Sequence, residues 1–177
     1  SVGVSFPLAG GVAGLGAVSV DYGDMLKSGW GDTGGQFVFE PNQGSFTATD
    51  MSLQFSYAKS LSDKFSIGGS AKMINQSIDD VDISGMAYDI GMQFSTGYRG
   101  IRMGAVISNF GPDVETEPVD GGYSEFPSMS LPMTFSFGVI AEAMPGLNAG
   151  LNVLQQADMV QQYIVNAEYN ISIASLR

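Results

Sequence analysis

Three charged side chains stand inside stretches that otherwise alternate between apolar and small residues: Lys72, Asp89 and Arg102. An ammonium, a carboxylate and a guanidinium on neighbouring strands form ion pairs, and in an enclosed interior such a group either braces the wall or touches a passing substrate. Here the bracing role is expected, with Lys72 and Asp89 diagonal to each other and Arg102 one strand further on. A second group is acidic: Asp113, Glu115, Glu117, Asp120 and Glu125 fall in one stretch with no basic residue. Carboxylates suit hard cations, but this spacing matches no calcium-binding loop. The expectation is a solvated acidic loop open to a partner or a cation, and no metal centre.

The remaining chemistry is mostly excluded by composition. With 0 His the usual general base at neutral pH is missing, and with 0 Cys so are thiol catalysis, disulfides and cysteine zinc sites. Ser70 and Lys72 share a strand face, which alternation alone produces, so no Ser-Lys nucleophile is assigned and the chain is expected not to be an enzyme. The glycine-rich segment 10–16 (GGVAGLG) lacks the spacing of a nucleotide loop and no helical pattern follows it. No cofactor is expected. A formal net charge of -11 argues against nucleic acid as a partner.

The elements that position these residues are strands. In residues 86–94 every second residue is apolar (Met86, Tyr88, Ile90, Met92, Phe94), with Ala87, Asp89, Gly91 and Gln93 between them. After a turn at 97–100 the alternation resumes with Ile101, Met103, Ala105 and Ile107, so the two runs form a hairpin. Similar runs begin near Val2, Val12, Met51, Phe65, Met133, Leu147 and Tyr163, giving about nine strands in up-and-down order within a single domain, 1–177. Helical periodicity is absent throughout. The segments 23–44 and 109–131 read as long loops and 77–80 as a shorter one, all at one end of the sheet; the connections at the other end are short.

That layout is the one found in outer-membrane barrels. No stretch of about 18 apolar residues is present, so no membrane helix is expected, but a membrane strand needs only about 9–11 residues of alternating signal. The polar face is mostly Ser, Gly, Asn and Gln, unlike the Lys- and Glu-rich face of a sheet open to bulk water. Glycines recur on it at Gly68, Gly91, Gly104, Gly138 and Gly150. Either backbone curvature in a closing sheet or a plug or ligand lying against the wall accounts for them. On the apolar face Phe55, Tyr57, Phe65 and Phe94 gather near the short turns, where an aromatic girdle would lie, with Tyr98 in the turn itself. The fold class expected is an all-β, antiparallel, up-and-down transmembrane β-barrel.

Several segments resemble a known family. SYAKSLSDKFSIGGSAK (56–72), AYDIGMQF (87–94), ISNFGPD (107–113), LPMTFSFGV (131–139) and VNAEYNISIASLR (165–177) look like the PorV/PorQ family of bacterial outer-membrane proteins, relatives of the FadL-like barrels. The resemblance covers roughly residues 23–177. It implies a FadL-like barrel with more strands than this chain provides and an N-terminal plug segment that it lacks; with the odd strand count, this implies part of a longer barrel. It further implies a bacterial outer-membrane location, contact with outer-membrane lipid, and a non-enzymatic role in type IX secretion, with secretion-system components or secreted cargo proteins as partners. The FadL relatives imply an alternative, transport of hydrophobic small molecules, and composition leaves a third, a soluble all-β interaction or structural module.

Overall fold

A computed structural model describes residues 1–32, 35–40, 44–79, 81–114, 128–171 and 174–176. Nine long strands follow the alternating runs: β1 (Val2–Leu8), β2 (Gly11–Leu26), β5 (Ser45–Ser60), β6 (Phe65–Ile78), β7 (Val81–Ser95), β8 (Arg102–Phe110), β9 (Thr134–Met144), β10 (Leu147–Gln156) and β11 (Gln162–Ile171). A short β12 (Ala174–Leu176) adds a tenth, and all ten form one antiparallel sheet in the order β1-β2-β5-β6-β7-β8-β9-β10-β11-β12. The sheet is open, with β1 and β12 at its edges. Pro7, which has no N–H to donate, sits on edge strand β1.

Two expected loops are shorter than the sequence suggested. In 23–44, β2 runs on to Leu26 and the separate two-stranded hairpin β3 (Gly29–Asp32) and β4 (Phe37–Glu40) follows. In 77–80, β6 continues to Ile78, which pairs with Val81. Glycine and acidic residues make 23–44 read as loop, but ladder hydrogen bonds to the neighbouring strand outweigh weak propensity. Short connections lie at the opposite end, two of them, Ala9-Gly10 and Pro145-Gly146, of only two residues. Ala9 and Gly10 both have positive φ (48° and 75°), as a two-residue hairpin turn with the twist of its strands requires.

Register assigns the faces. Met86 lies opposite Met73, Met73 opposite Leu53, Leu53 opposite Ala17, and Ala17 opposite Val2. Ile90 stands opposite Ile107, which faces Phe135. These residues form one Met/aromatic face across the sheet. Gly91, Gly68, Ala58 and Ser136 belong to the other, Ser/Gly face. The Ser/Gly face is less uniformly polar than the sequence suggested. Val106, Ile140, Leu154 and Ile164 lie on it, as do Val18 and Val20, which stand opposite Ser52 and Asp50.

Exposure runs opposite to polarity. On β5 the apolar Met51, Leu53 and Phe55 are 46, 44 and 49% exposed, while Ser52, Gln54 and Ser56 between them are more sheltered. On β7 the same inversion holds from Met86 to Met92 and includes Ala87, fully buried on the Ser/Gly face, whereas nearer the start of the strand Asp82 and Ser84 are exposed and Val81 and Ile83 sheltered. Short side chains that are nonetheless the sheltered ones mean that the sheet is concave on the Ser/Gly side. Among the described residues each strand touches only its neighbours in its own sheet. Among the described residues the buried apolar side chains are three alanines and Val114, with no large side chain fully buried. The chain exposes 12719 Å², against roughly 8,200 Å² for a folded monomer of this size. Among the described residues the main sheet is a single curved layer, not one of two layers around a core.

Candidate functional site

The centre of the concave face is built around Asp89. Ser70 stands directly opposite it on β6, and Lys72 stands opposite Ala87, one step diagonal. The third strand contributes through an irregularity: Tyr88 pairs with Phe110 and Ile90 with Ile107, so Ser108 and Asn109 of β8 together oppose the single Asp89. This is a β-bulge. Asn109 takes φ 56°, a left-handed conformation that Asn tolerates better than most residues.

Every strong donor in the group points at the same carboxylate. Lys72 Nζ lies 2.8 Å from Asp89 Oδ2 and donates to Oδ1 at 2.9 Å. Ser70 Oγ donates to Oδ2 at 2.6 Å, and the backbone N–H of Asn109 donates to Oδ1 at 2.9 Å. The third ammonium contact of Lys72 is Asn109 Oδ1, at 3.0 Å. The two charged side chains keep only 21 and 18% of their surface exposed. Each Asp89 oxygen therefore takes two donors and Lys72 makes three contacts, as many as its protons. The Ser70 hydroxyl is committed to the carboxylate. A Ser-Lys nucleophile needs a neutral amine beside the hydroxyl, whereas this amine is held in an ion pair. Chemically the group is a closed brace joining β6, β7 and β8.

Arg102 is not part of the brace. It pairs in register with Ser95 and Ile140 near the short-turn end and makes no hydrogen bond or ion pair among the described residues. It lies on the expected face and one strand beyond Asp89, but too far along the sheet to reach the pair, because β8 runs antiparallel from its start at Arg102 and reaches Asp89 only at its far end. Arg102 instead borders a cavity of about 510 Å³ with Gln93, Ser136, Asn152 and Asn166. A second hollow of about 380 Å³ lies beside the brace, lined by Ser56, Ser70, Asp89, Gly68 and Gly91.

The glycines of this face are filled from within the wall. A Cβ on Gly68 would stand 3.0 Å from Ala58 Cβ, on Gly91 3.2 Å from Val106 Cγ2 and on Gly138 3.3 Å from Asn152 Oδ1, and on Gly150 it would collide with Asn166 Oδ1. Neighbouring strands crowd together on a concave surface, which favours curvature over a plug among the two explanations for Gly68, Gly91, Gly138 and Gly150. Gly104 is looser, 3.5 Å from Met92 O. Compared with known protein families, curated proteins and solved structures, the chain matches none.

Of the acidic stretch, Asp113 is exposed next to Val114, whose backbone pairs with Met129. Glu115, Glu117, Asp120 and Glu125 lie outside the described residues. No group of three or more potential metal ligands occurs among the described residues. Three contacts were not anticipated: Asn109 in the brace, the Lys27–Asp79 ion pair, and Tyr22 Oη donating to Asp50 Oδ2 at 2.6 Å. The signal for Asn109 was present. Ser108 and Asn109 are two polar residues in a row between Ile107 and Phe110, a break in a period of two that marks a bulge.

Proposed function

We propose that the chain forms the wall of a transmembrane β-barrel in a bacterial outer membrane, with its Met/aromatic face against hydrocarbon and its Ser/Gly face lining the interior, and that it has no enzymatic role. The observation that carries this reading is the inversion of exposure and polarity through the middle of a sheet whose Met/aromatic face has no second layer against it among the described residues. In water such a face would cost roughly 25 cal/mol for each Å² of apolar surface left exposed; in hydrocarbon it is the favourable arrangement. The closed Lys72-Asp89 brace also fits, because charges in a membrane protein face the interior and pair with one another. Within this reading the resemblance to PorV/PorQ proteins supports a part in protein secretion, handling cargo of a type IX system.

The test is behaviour in detergent. A barrel wall is extracted only with detergent and migrates on gels with a shift on heating. Full solubility in plain buffer with no shift overturns the membrane reading and leaves the soluble all-β module. Pull-down of secreted proteins that carry C-terminal signals tests the secretion role.

A second reading, transport of hydrophobic small molecules, is favoured by Val106, Ile140, Leu154 and Ile164 on the interior face. Uptake of a hydrophobic compound by cells carrying the protein, reduced by Ile140→Asn, supports it; unchanged uptake removes it.

A further inference from the structure

Charge is divided between the two ends of the sheet. The long-loop half carries Asp21, Asp24, Asp50, Asp79, Asp82, Asp113 and Asp158 against Lys27. The short-turn end carries Lys59, Lys64, Arg99 and Arg102 against Asp63, Glu142 and Glu168. In a chain of net charge -11, that end is the place where cations gather.

Three of these cations are seated on the turns. Lys59, at the end of β5, lays its Cε and Nζ over Gly10, each 3.7 Å from where a Cβ would be. Lys64, in the β5–β6 turn, lays the same two atoms over Gly97 at 3.6 Å, and its carbonyl accepts a hydrogen bond from the Ser95 N–H at 2.7 Å. The Arg99 guanidinium lies 5.6 Å from the centre of the Tyr98 ring, in a turn whose carbonyl at Arg99 receives the Glu142 N–H at 3.0 Å. Gly10 and Gly97 have φ of 75° and 78°, so each turn presents a bare glycine backbone over which a lysine stem can lie. None of the three makes an ion pair among the described residues. Tyr57, Phe65 and Phe94 lie just inside this rim on the Met/aromatic face, and Tyr57 Oη donates to Ala9 O at 3.3 Å.

Aromatic rings at an interface with lysine and arginine immediately beyond them match the order of a bilayer, in which hydrocarbon gives way to phosphate. We infer that Lys59, Lys64 and Arg99 form a collar that binds the phosphates of anionic phospholipid headgroups at the short-turn end. The inference rests on the membrane reading above and adds a lipid class and a side to it. The overall charge of the protein repels an anionic bilayer, so preference for such lipid has to come from a local surface.

The test uses the full chain inserted into vesicles of phosphatidylcholine alone and of phosphatidylcholine with one fifth phosphatidylglycerol, followed by detergent extraction and measurement of the lipid retained. Wild type should enrich phosphatidylglycerol over phosphatidylcholine by at least about fivefold at low salt, the effect expected of a single cation near a charged surface. The enrichment should fall toward one in 0.5 M salt and in the Lys59→Gln, Lys64→Gln, Arg99→Gln triple variant. Lys27→Gln, at the opposite end, should leave it unchanged. Insertion into phosphatidylcholine without enrichment, or equal enrichment by the triple variant, overturns the collar. Failure to insert into either vesicle overturns the membrane reading instead.

Discussion

The backbone N–H of Asn109 is aimed at the carboxylate of Asp89, 2.9 Å from Oδ1, because a bulge in β8 turns it out of the ladder. A regular strand would spend that amide on its neighbour's carbonyl. The extra residue therefore supplies both a donor for Asp89 and, through its side chain, an acceptor for Lys72.

Asn109→Gly keeps the left-handed backbone accessible and loses only the side-chain acceptor, whereas Asn109→Ala loses the acceptor and pays for the conformation as well. The alanine variant should be less stable than the glycine variant by about 1–2 kcal/mol. Denaturant midpoints in micelles measure the difference; equal midpoints would show that the bulge relaxes.

Lys72 and Asp89 should be strongly coupled. Asp89→Asn leaves the ammonium facing a neutral amide and should cost about 1–3 kcal/mol, less than a fully buried pair because both groups keep some solvent. Lys72→Met combined with Asp89→Leu should cost less than the sum of Lys72→Met and Asp89→Leu made singly. A double-mutant cycle reads the coupling, and additive losses would remove the brace.

Gly68 and Gly104 separate crowding from chance. A methyl group on Gly68 meets Ala58 Cβ at 3.0 Å and the backbone oxygen of Tyr57 at 3.1 Å, neither of which is the end of a flexible side chain. Gly68→Ala should lower stability by about 1–3 kcal/mol. Gly104→Ala meets only Met92 O at 3.5 Å and should sit within about 0.5 kcal/mol of wild type. The comparison is made by unfolding both variants under the same conditions.

Leu53 and Gln54 are adjacent on β5, point to opposite faces and lie at almost the same depth. Leu53→Arg should cost roughly 2–4 kcal/mol of folding stability in a bilayer, the penalty for arginine near the midplane on a lipid-facing side. Gln54→Arg should be tolerated. The reverse order of stabilities would exchange the two faces and end the membrane reading.

The nine long strands were legible because alternation is strong where one face is uniformly apolar, as in Met86, Tyr88, Ile90, Met92 and Phe94. It failed where the faces are mixed. Val106, Ile140, Leu154 and Ile164 are apolar on the interior side, so period alone could not give the interior its true character. The β3–β4 hairpin was hidden by glycines that read as loop. For the candidate site, Lys72 and Asp89 were placed together because the tight β6–β7 connection fixes their register. The distance of Arg102 from that pair is not legible in the period, since the extent of the β7–β8 turn and the bulge decide how far along β8 each residue lies.

Because each strand of the main sheet pairs with the next one along the polypeptide, interrupted only by the β3–β4 excursion, almost every partner is close at hand when it is needed. Bringing such partners together costs little loop entropy, so the sheet can grow by successive hairpins without a distant search. Growth can begin at any of the tight connections and spread in both directions, and among the described residues β1 and β12 each keep one edge without a neighbour.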